Sequence, residues 1–351
     1  MNPHIQPWSV SPDTFPYDGF ASDRLEALLA YAILAPSPHN TQPWLFRLNV
    51  SDLEIYADRR RLLTAVDPFG RELHIACGAA LLHLRIAAGY FGQACNWDLL
   101  PDPQNPLLLA RFALHLKEDT NSEDVVLFHA IHERRTNREV FQPDLVPDEI
   151  LDDLGESAAK EGAWLVAFAD DTGRTAVADL VTRADREQWS HSEFRKELAQ
   201  WVRMDPEHQA DGIPGRDLGI RDWMSFVGPS LVRTFNRGNN QAARDADIAL
   251  HSPVLAVLGT DSDHPSDWLK AGQALGRVLL HAQASGVSVS HLNQPIEVAN
   301  LRGELATLLG RPTAFPQILL RLGYGPVVHP TPRWDVRSRL IHQDHSKVPP
   351  H

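Results

Sequence analysis

The sequence predicts an α+β fold in which one chain carries two copies of a single unit, each pairing long helices with a mainly antiparallel sheet. Three observations lead there. The order helix, strand, strand, long helix, strand is legible twice along the 351 residues. GAALLHLRIAAGYFG at 78–92 aligns without a gap on GQALGRVLLHAQASG at 272–286, matching at Gly, Ala, Leu, Ala and Gly, the self-similarity expected of a duplicated unit. Finally, the first two strand runs are joined by a connection of turn length at Ser51-Asp52, as in a hairpin.

In the first copy, DRLEALLAYAIL (23–34) sets Leu25, Leu28, Leu29, Ala32 and Ile33 on one helical face. Asp23 and Glu26 have the spacing of a capping box, and Pro36 ends the helix by disfavouring helical geometry in the residue before it. WLFRLNV and LEIYA are strands. RELHIACGAALLHLRIAAGYFG is a long Ala-rich helix closing at Gly89 or Gly92, and LLLARFALHL (107–116) is a third strand. In the second copy, PDEILDDLGESAAKEG is a helix with Pro147 suited to its first turn. AWLVAFA and PVLAVLG (253–259) are strands, DWLKAGQALGRVLLHAQASG is the long helix, and QILLRLG (317–323) is the last strand. The stretch between AWLVAFA and PVLAVLG breaks the parallel. It holds ADREQWSHSEFRKELAQWVR, which reads as helical, and a Gly/Pro-rich run, DGIPGRDLGIRDWMSFVGPS. An irregular stretch of that length is uncommon in a compact domain unless it is functional, for instance as a lid. The implied organisation is an N-terminal Pro-rich arm at 1–21, a first unit at 22–130, a second at 131–340 with an insertion at about 172–250, and a polar tail at 341–351 expected to lack structure.

Composition narrows the function. With 43% hydrophobic residues the chain can bury a large core. A net charge of −12 argues against nucleic-acid binding. No run of about 18 apolar residues suggests a membrane span, and the N-terminus lacks the pattern of a signal peptide. Two cysteines, Cys77 and Cys95, suit a reducing compartment, so the expected location is the cytoplasm. HExxH, paired CxxC, GxSxG, P-loop and GxGxxG motifs are all absent, and the seventeen histidines show no metal-ligand spacing. Two elements remain. ERRTNREVF (133–141) puts three arginines and a threonine within five residues; guanidinium forks and a hydroxyl match phosphate oxygens. PSPHNTQPW (36–44) packs Ser37, Asn40 and Gln42 onto one short connection, groups suited to the polar edge of a heterocycle.

These two motifs resemble those of the nitroreductase superfamily of FMN enzymes. ERRTNREVF is similar to that family's RRSxRxF, with Thr136 in the serine's place, and PSPHNTQPW fits PSxxNxQPW position by position. SVSHLNQPIEV and FPQILLRLGYG look like the family's C-terminal helix–loop–strand. The chain is most similar to the Acg-like branch, in which two nitroreductase repeats are fused and a lid is inserted; the resemblance covers roughly 22–340. Each motif occurs once, whereas two identical chains of the typical family build two sites. The resemblance therefore implies an intrachain pseudo-dimer with one complete FMN site.

By that resemblance, Arg134, Arg135, Thr136 and Arg138 hold the phosphate and ribityl chain, and Arg333 or Arg337 adds a phosphate contact. Pro36, Ser37 and Asn40 line the flavin ring from the other repeat, and Ser290, His291, Leu292 and Asn293 pass along it. No side chain is expected to be catalytic, because the flavin carries the chemistry. The implied activity is reduction of nitroaromatic, quinone or related small-molecule acceptors by ping-pong hydride transfer, with NADH or NADPH as co-substrate. The implied assembly is a monomer or a homodimer. A second reading is an inactive relative that binds or sequesters flavin, or whose lid fills the pocket with Trp223, Met224 and Phe226.

Overall fold

The computed structural model describes residues 6–117, 121–204, 209–215 and 238–341. Two four-stranded antiparallel sheets organise it. The first contains β1 (Trp44–Leu48), β2 (Asp52–Ala57), β3 (Gln93–Leu99) and β4 (Leu108–Lys117) in the order β1-β2-β4-β3. The second contains β5 (Trp164–Phe168), β8 (Val254–Thr260), β9 (Ser288–His291) and β10 (Phe315–Gly323) in the order β5-β8-β10-β9. Counted within its own sheet, each order is first, second, fourth, third, so the duplication seen in sequence is a duplication of topology. Helix α1 (Ala21–Ala32) precedes the first sheet and α4 (Asp148–Ala159) the second. A 20-residue helix sits between the second and third strands of each: α2 (Arg71–Tyr90) and α8 (Pro265–Ala284).

Helices α2 and α8 pack on each other at the centre of the molecule. A Cβ on Gly78 would overlap the carbonyl oxygen of Leu269, and a Cβ on Gly272 would overlap that of Ile75. Gly78 and Gly272 occupy the same place in the two aligned helices, as do Ile75 and Leu269. The contact is thus reciprocal, the signature of a two-fold axis, here internal to one chain. The His74 and Trp268 rings, also equivalent, meet at 5.4 Å. Helix α2 is long and apolar enough to cross a membrane by composition, but 78% of that stretch is buried inside the fold; it is a core helix.

The structure refines the sequence expectations in several places. Helix α1 begins at Ala21, and Asp23 lies in its first turn rather than at the cap: its carboxylate accepts from the Phe20 N–H at 2.9 Å. Helix α2 ends at Tyr90, and Gly92 supplies the left-handed residue, with φ of 64°. The arm is folded onto the first unit, with the Phe15 ring stacked on Phe91 at 3.9 Å. The insertion contains α5 (Asp171–Ser190) and α6 (Ser192–Trp201), broken at His191 where one helix was expected, then the parallel pair β6 (Val202–Arg203) and β7 (Ile213–Pro214), and α7 (Gly238–Leu250). Further elements are α3 (Ser122–Glu133), α9 (Gln294–Glu297) and α10 (Ala299–Leu308). Residues 342–351 of the tail, and Trp223, Met224 and Phe226, lie outside the described residues.

Candidate flavin site

A cavity of about 430 Å³ opens between the two repeats. One wall is the PSPHN turn: Pro36, Ser37, His39 and Asn40. A second is Arg134, Thr136 and Arg138, and a third is His291 and Asn293, with Arg333 alongside. Motifs about 100 residues apart in sequence therefore meet in one place.

Backbone alternation decides which neighbours face in. Helix α3 ends at Glu133, Arg134 leaves helical geometry with φ of −58° and ψ of 128°, and Thr136 forms a parallel bridge with Val289 of β9. Along this bridged segment alternate side chains, Arg134, Thr136 and Arg138, line the cavity together. Arg135 points away: its guanidinium donates to the carbonyls of His132 and Arg134 at 2.7 and 2.8 Å and lies over the Trp8 ring. A similar split occurs where β9 stops at His291 and the chain turns into helical geometry at Asn293. His291 and Asn293 face the cavity, whereas Ser290 is buried on the other side and Leu292 packs in the core with Val257 and Leu319. Arg337 is remote from the cavity, beside Asp23 and Glu26 on a shallow surface depression. The cavity therefore takes Arg333, not Arg337, and takes neither Arg135, Ser290 nor Leu292.

The polar groups of the turn also bond among themselves and to the C-terminal segment. Asn40 donates to the Pro332 carbonyl at 3.0 Å and accepts from Arg333 at 2.9 Å. Ser37 Oγ accepts from the Gln42 N–H at 2.9 Å, and Gln42 bridges the Ala210 carbonyl and the Trp334 N–H. Arg333 also donates to the carbonyls of Leu34 and Ala35. These bonds hold three non-glycine residues, His39, Asn40 and Gln42, at φ near +50°, a conformation costing roughly 1 kcal/mol or more apiece. The side chains fix the loop, and its backbone and the His39 ring face the cavity.

The electrostatics divide the cavity in two. At one end Arg134 is only 4% exposed, and its Nε has no hydrogen-bond partner among the described residues. Burial, and then Arg135, lower its pKa to about 9. His39 and His291 are lowered to about 4 and about 3, first by burial and then by Arg138, so both are neutral at pH 7. The other end is acidic and was invisible in the sequence. Glu72 accepts from Arg71 at 2.9 Å and Asn293 at 3.2 Å, Gln188 donates to Glu297 at 2.5 Å, and Asp185 lies beside Asp245. Burial raises the carboxyl pKa values of Glu72 and Glu297.

The insertion is fastened over this cavity by Asp211, which accepts from Arg61 at 2.8 Å and from Arg203 at 2.9 Å. Arg61 closes the basic run DRRR at 58–61, whose residue types alone fit an ordinary charged surface. Asp211→Ala should loosen residues 209–215 at a cost of about 1–3 kcal/mol, since both guanidinium groups lose a carboxylate acceptor and keep their bonds to the Thr41 and Gln200 carbonyls. Hydrogen exchange of the Gly212 and Ile213 amides should accelerate at least about tenfold, with α8 unchanged; unchanged exchange at 209–215 would show the latch to be incidental. These hydrogen bonds hold the Asp211 carboxyl below the usual carboxylate range, against the effect of burial. Its contribution is therefore intact at neutral pH and lost only as pH falls through the lowered value.

No family model matches the chain. A Mycobacterium tuberculosis protein named as an NAD(P)H nitroreductase is 30% identical over 325 residues, which cover 89% of each chain. The chain belongs to the NAD(P)H nitroreductase family. The M. tuberculosis nitroreductase acg is 28% identical over 344 residues, 97% of this chain and 99% of that one, in keeping with the Acg-like branch. The Serratia nitroreductase PigM is 25% identical over 353 residues, 93% and 97% of the two chains. Among solved structures, the FMN-dependent nitroreductase NfnB of Mycobacterium smegmatis, in complex with NADPH, matches 61% of this chain and 96% of its own, at 15% identity and a TM-score of 0.40.

Proposed function

We propose that the chain is an FMN-dependent oxidoreductase that uses NAD(P)H to reduce nitroaromatic, quinone or related acceptors. The observation that carries this reading is Arg134: a buried guanidinium facing a cavity, shifted by burial and another arginine and by no carboxylate. Such a group is costly unless an anion arrives to pair with it, and the phosphate of FMN is such an anion.

Arg134, Thr136 and Arg138 are the residues that would hold the phosphate and ribityl chain. Pro36, Ser37, His39, His291 and Asn293 would line the ring, with Asn40 and Arg333 setting the shape of the turn. When bound, FMN supplies the hydride transfer from NAD(P)H to the acceptor. The protein's own part is to bind, orient and exclude water. Trp189, Phe194, Leu198 and Ile213 give the insertion an apolar face on the cavity, which lowers the local dielectric around the charged groups. Both halves of the site come from one chain, so a monomer suffices, and the cytoplasm is the compartment we propose.

The test is direct. The purified protein should be yellow, or become so with added FMN, and anaerobic NADH or NADPH should bleach it. Colourless protein that cannot be reconstituted would overturn the reading in favour of a relative without turnover.

A further inference from the structure

We propose that the acidic end of the cavity is a subsite for a cationic nitrogen group on a flat aromatic acceptor, an amidinium or ammonium; this deepens the function proposed above and rests on it. The subsite is built by the insertion. Asp185, Gln188 and Trp189 all line the cavity and sit on α5 at positions i, i+3 and i+4, which is one helical face. Asp185 is 2% exposed. It is hydrogen-bonded to Asp245 of α7 and meets the Gln294 side chain, which donates to Asp245 at 3.0 Å. Asp185 Oδ2 has no hydrogen-bond partner among the described residues. A buried, unpartnered carboxyl oxygen on a cavity wall is poorly placed for stability and well placed to accept from a ligand.

The neighbouring wall fixes the rest of the ligand. Trp189 and Phe194 meet edge to face at 5.8 Å, and Leu198 and Ile213 complete an apolar surface suited to an aromatic body. A carboxyl pair beside such a surface rejects anionic acceptors and pairs best with a cation. Two buried carboxyls in hydrogen-bond contact favour sharing one proton over ionising together. Burial, then the charge and hydrogen bond of Asp245, raise Asp185 to about 8 against the opposing hydrogen bond of Gln294. The other charged groups facing this end are Arg244 of α7, Glu297 of α9 and Glu72 of α2, with Arg321 of β10 behind Asp245. An arriving cation replaces the shared proton, so binding should release about one proton near pH 7 and tighten from pH 6 to 9.

The probes are 4-nitrobenzamidine and its neutral near-isostere 4-nitrobenzamide, titrated calorimetrically into the full-length protein with FMN present. The amidine should bind at least about tenfold more tightly than the amide, the scale of a charge-assisted hydrogen bond, and its heat should vary with buffer ionisation as proton release requires. In Asp185→Asn the preference should fall to near one; Asp245→Asn should do the same if the first variant folds poorly. Equal affinities in the wild type, no binding of the amidine, or a preference surviving both substitutions would overturn the subsite. Flavin content read from the visible spectrum separates the two proposals. Yellow protein without amidine preference sinks only the subsite, and colourless protein that still prefers the amidine sinks only the oxidoreductase reading.

Discussion

Gly272→Ala should destabilise the protein by about 3 kcal/mol or more, at the upper end of overpacking costs, and lower Tm by at least about 4 °C. The added methyl would sit 2.9 Å from Gly78 Cα and overlap the Ile75 carbonyl oxygen. Both are backbone atoms of a packed helix, so no rotamer change relieves the clash and α2 and α8 must move apart. The internal two-fold makes a second claim. Gly78→Ala should cost a similar amount, because its methyl would meet the equivalent carbonyl, that of Leu269. The double variant should cost less than the sum, since helices already forced apart accommodate the second methyl. Gly155→Ala is the control. It lies in α4 with nothing within 4 Å of the added methyl, so helix propensity alone should stabilise it by up to about 1 kcal/mol. Thermal melts of the four variants decide; a Gly272→Ala protein as stable as the wild type would mean the helices do not cross where the structure has them.

The repeated long helices were legible because apolar period and closing glycines are local signals. Strand β3 was missed because QACNWDL alternates polar residues such as Asn96 and Asp98 at the edge of its sheet, too weakly for a single sequence to show. The two motifs were readable as words but not as directions. Arg134 and Arg135 are adjacent and chemically identical, and only the extended backbone after α3 sends one into the cavity and the other onto Trp8. Reading 134–138 as alternating would have separated the inward residues from the outward ones there, whereas at 290–293 the chain leaves the strand for helical geometry. The acidic wall had no such signal. Glu72, Asp185, Asp245 and Glu297 lie on four different helices, and their meeting depends on how the insertion folds back across the repeats. The role of Asn40 was also hidden, because its amide partners, Pro332 and Arg333, lie 292 and 293 residues away.

Arg134→Met should make the flavin-free protein more stable and its hold on FMN weaker. A lowering from 12.5 to about 9 corresponds to roughly 3–5 kcal/mol of unrelieved cost in the charged state at neutral pH. Removing a buried charge in favour of an apolar group of similar length recovers part of this, about 1–3 kcal/mol. The same change deletes charge-assisted hydrogen bonds to a phosphate, so FMN affinity should fall about 10- to 100-fold, read by equilibrium dialysis or by loss of the FMN-induced rise in Tm. The pH dependence has a definite sign. For a base whose folded value is lowered, the penalty is full below about 9 and fades as pH rises through that value, so the apo wild type should close its stability gap to the variant only in alkaline solution. Arg135→Ala should behave oppositely, losing about 1 kcal/mol of cation–π packing on Trp8 while keeping FMN. If Arg134→Met instead lost stability and flavin together, Arg134 would be a strut of the fold, and the phosphate seat would have to be sought elsewhere.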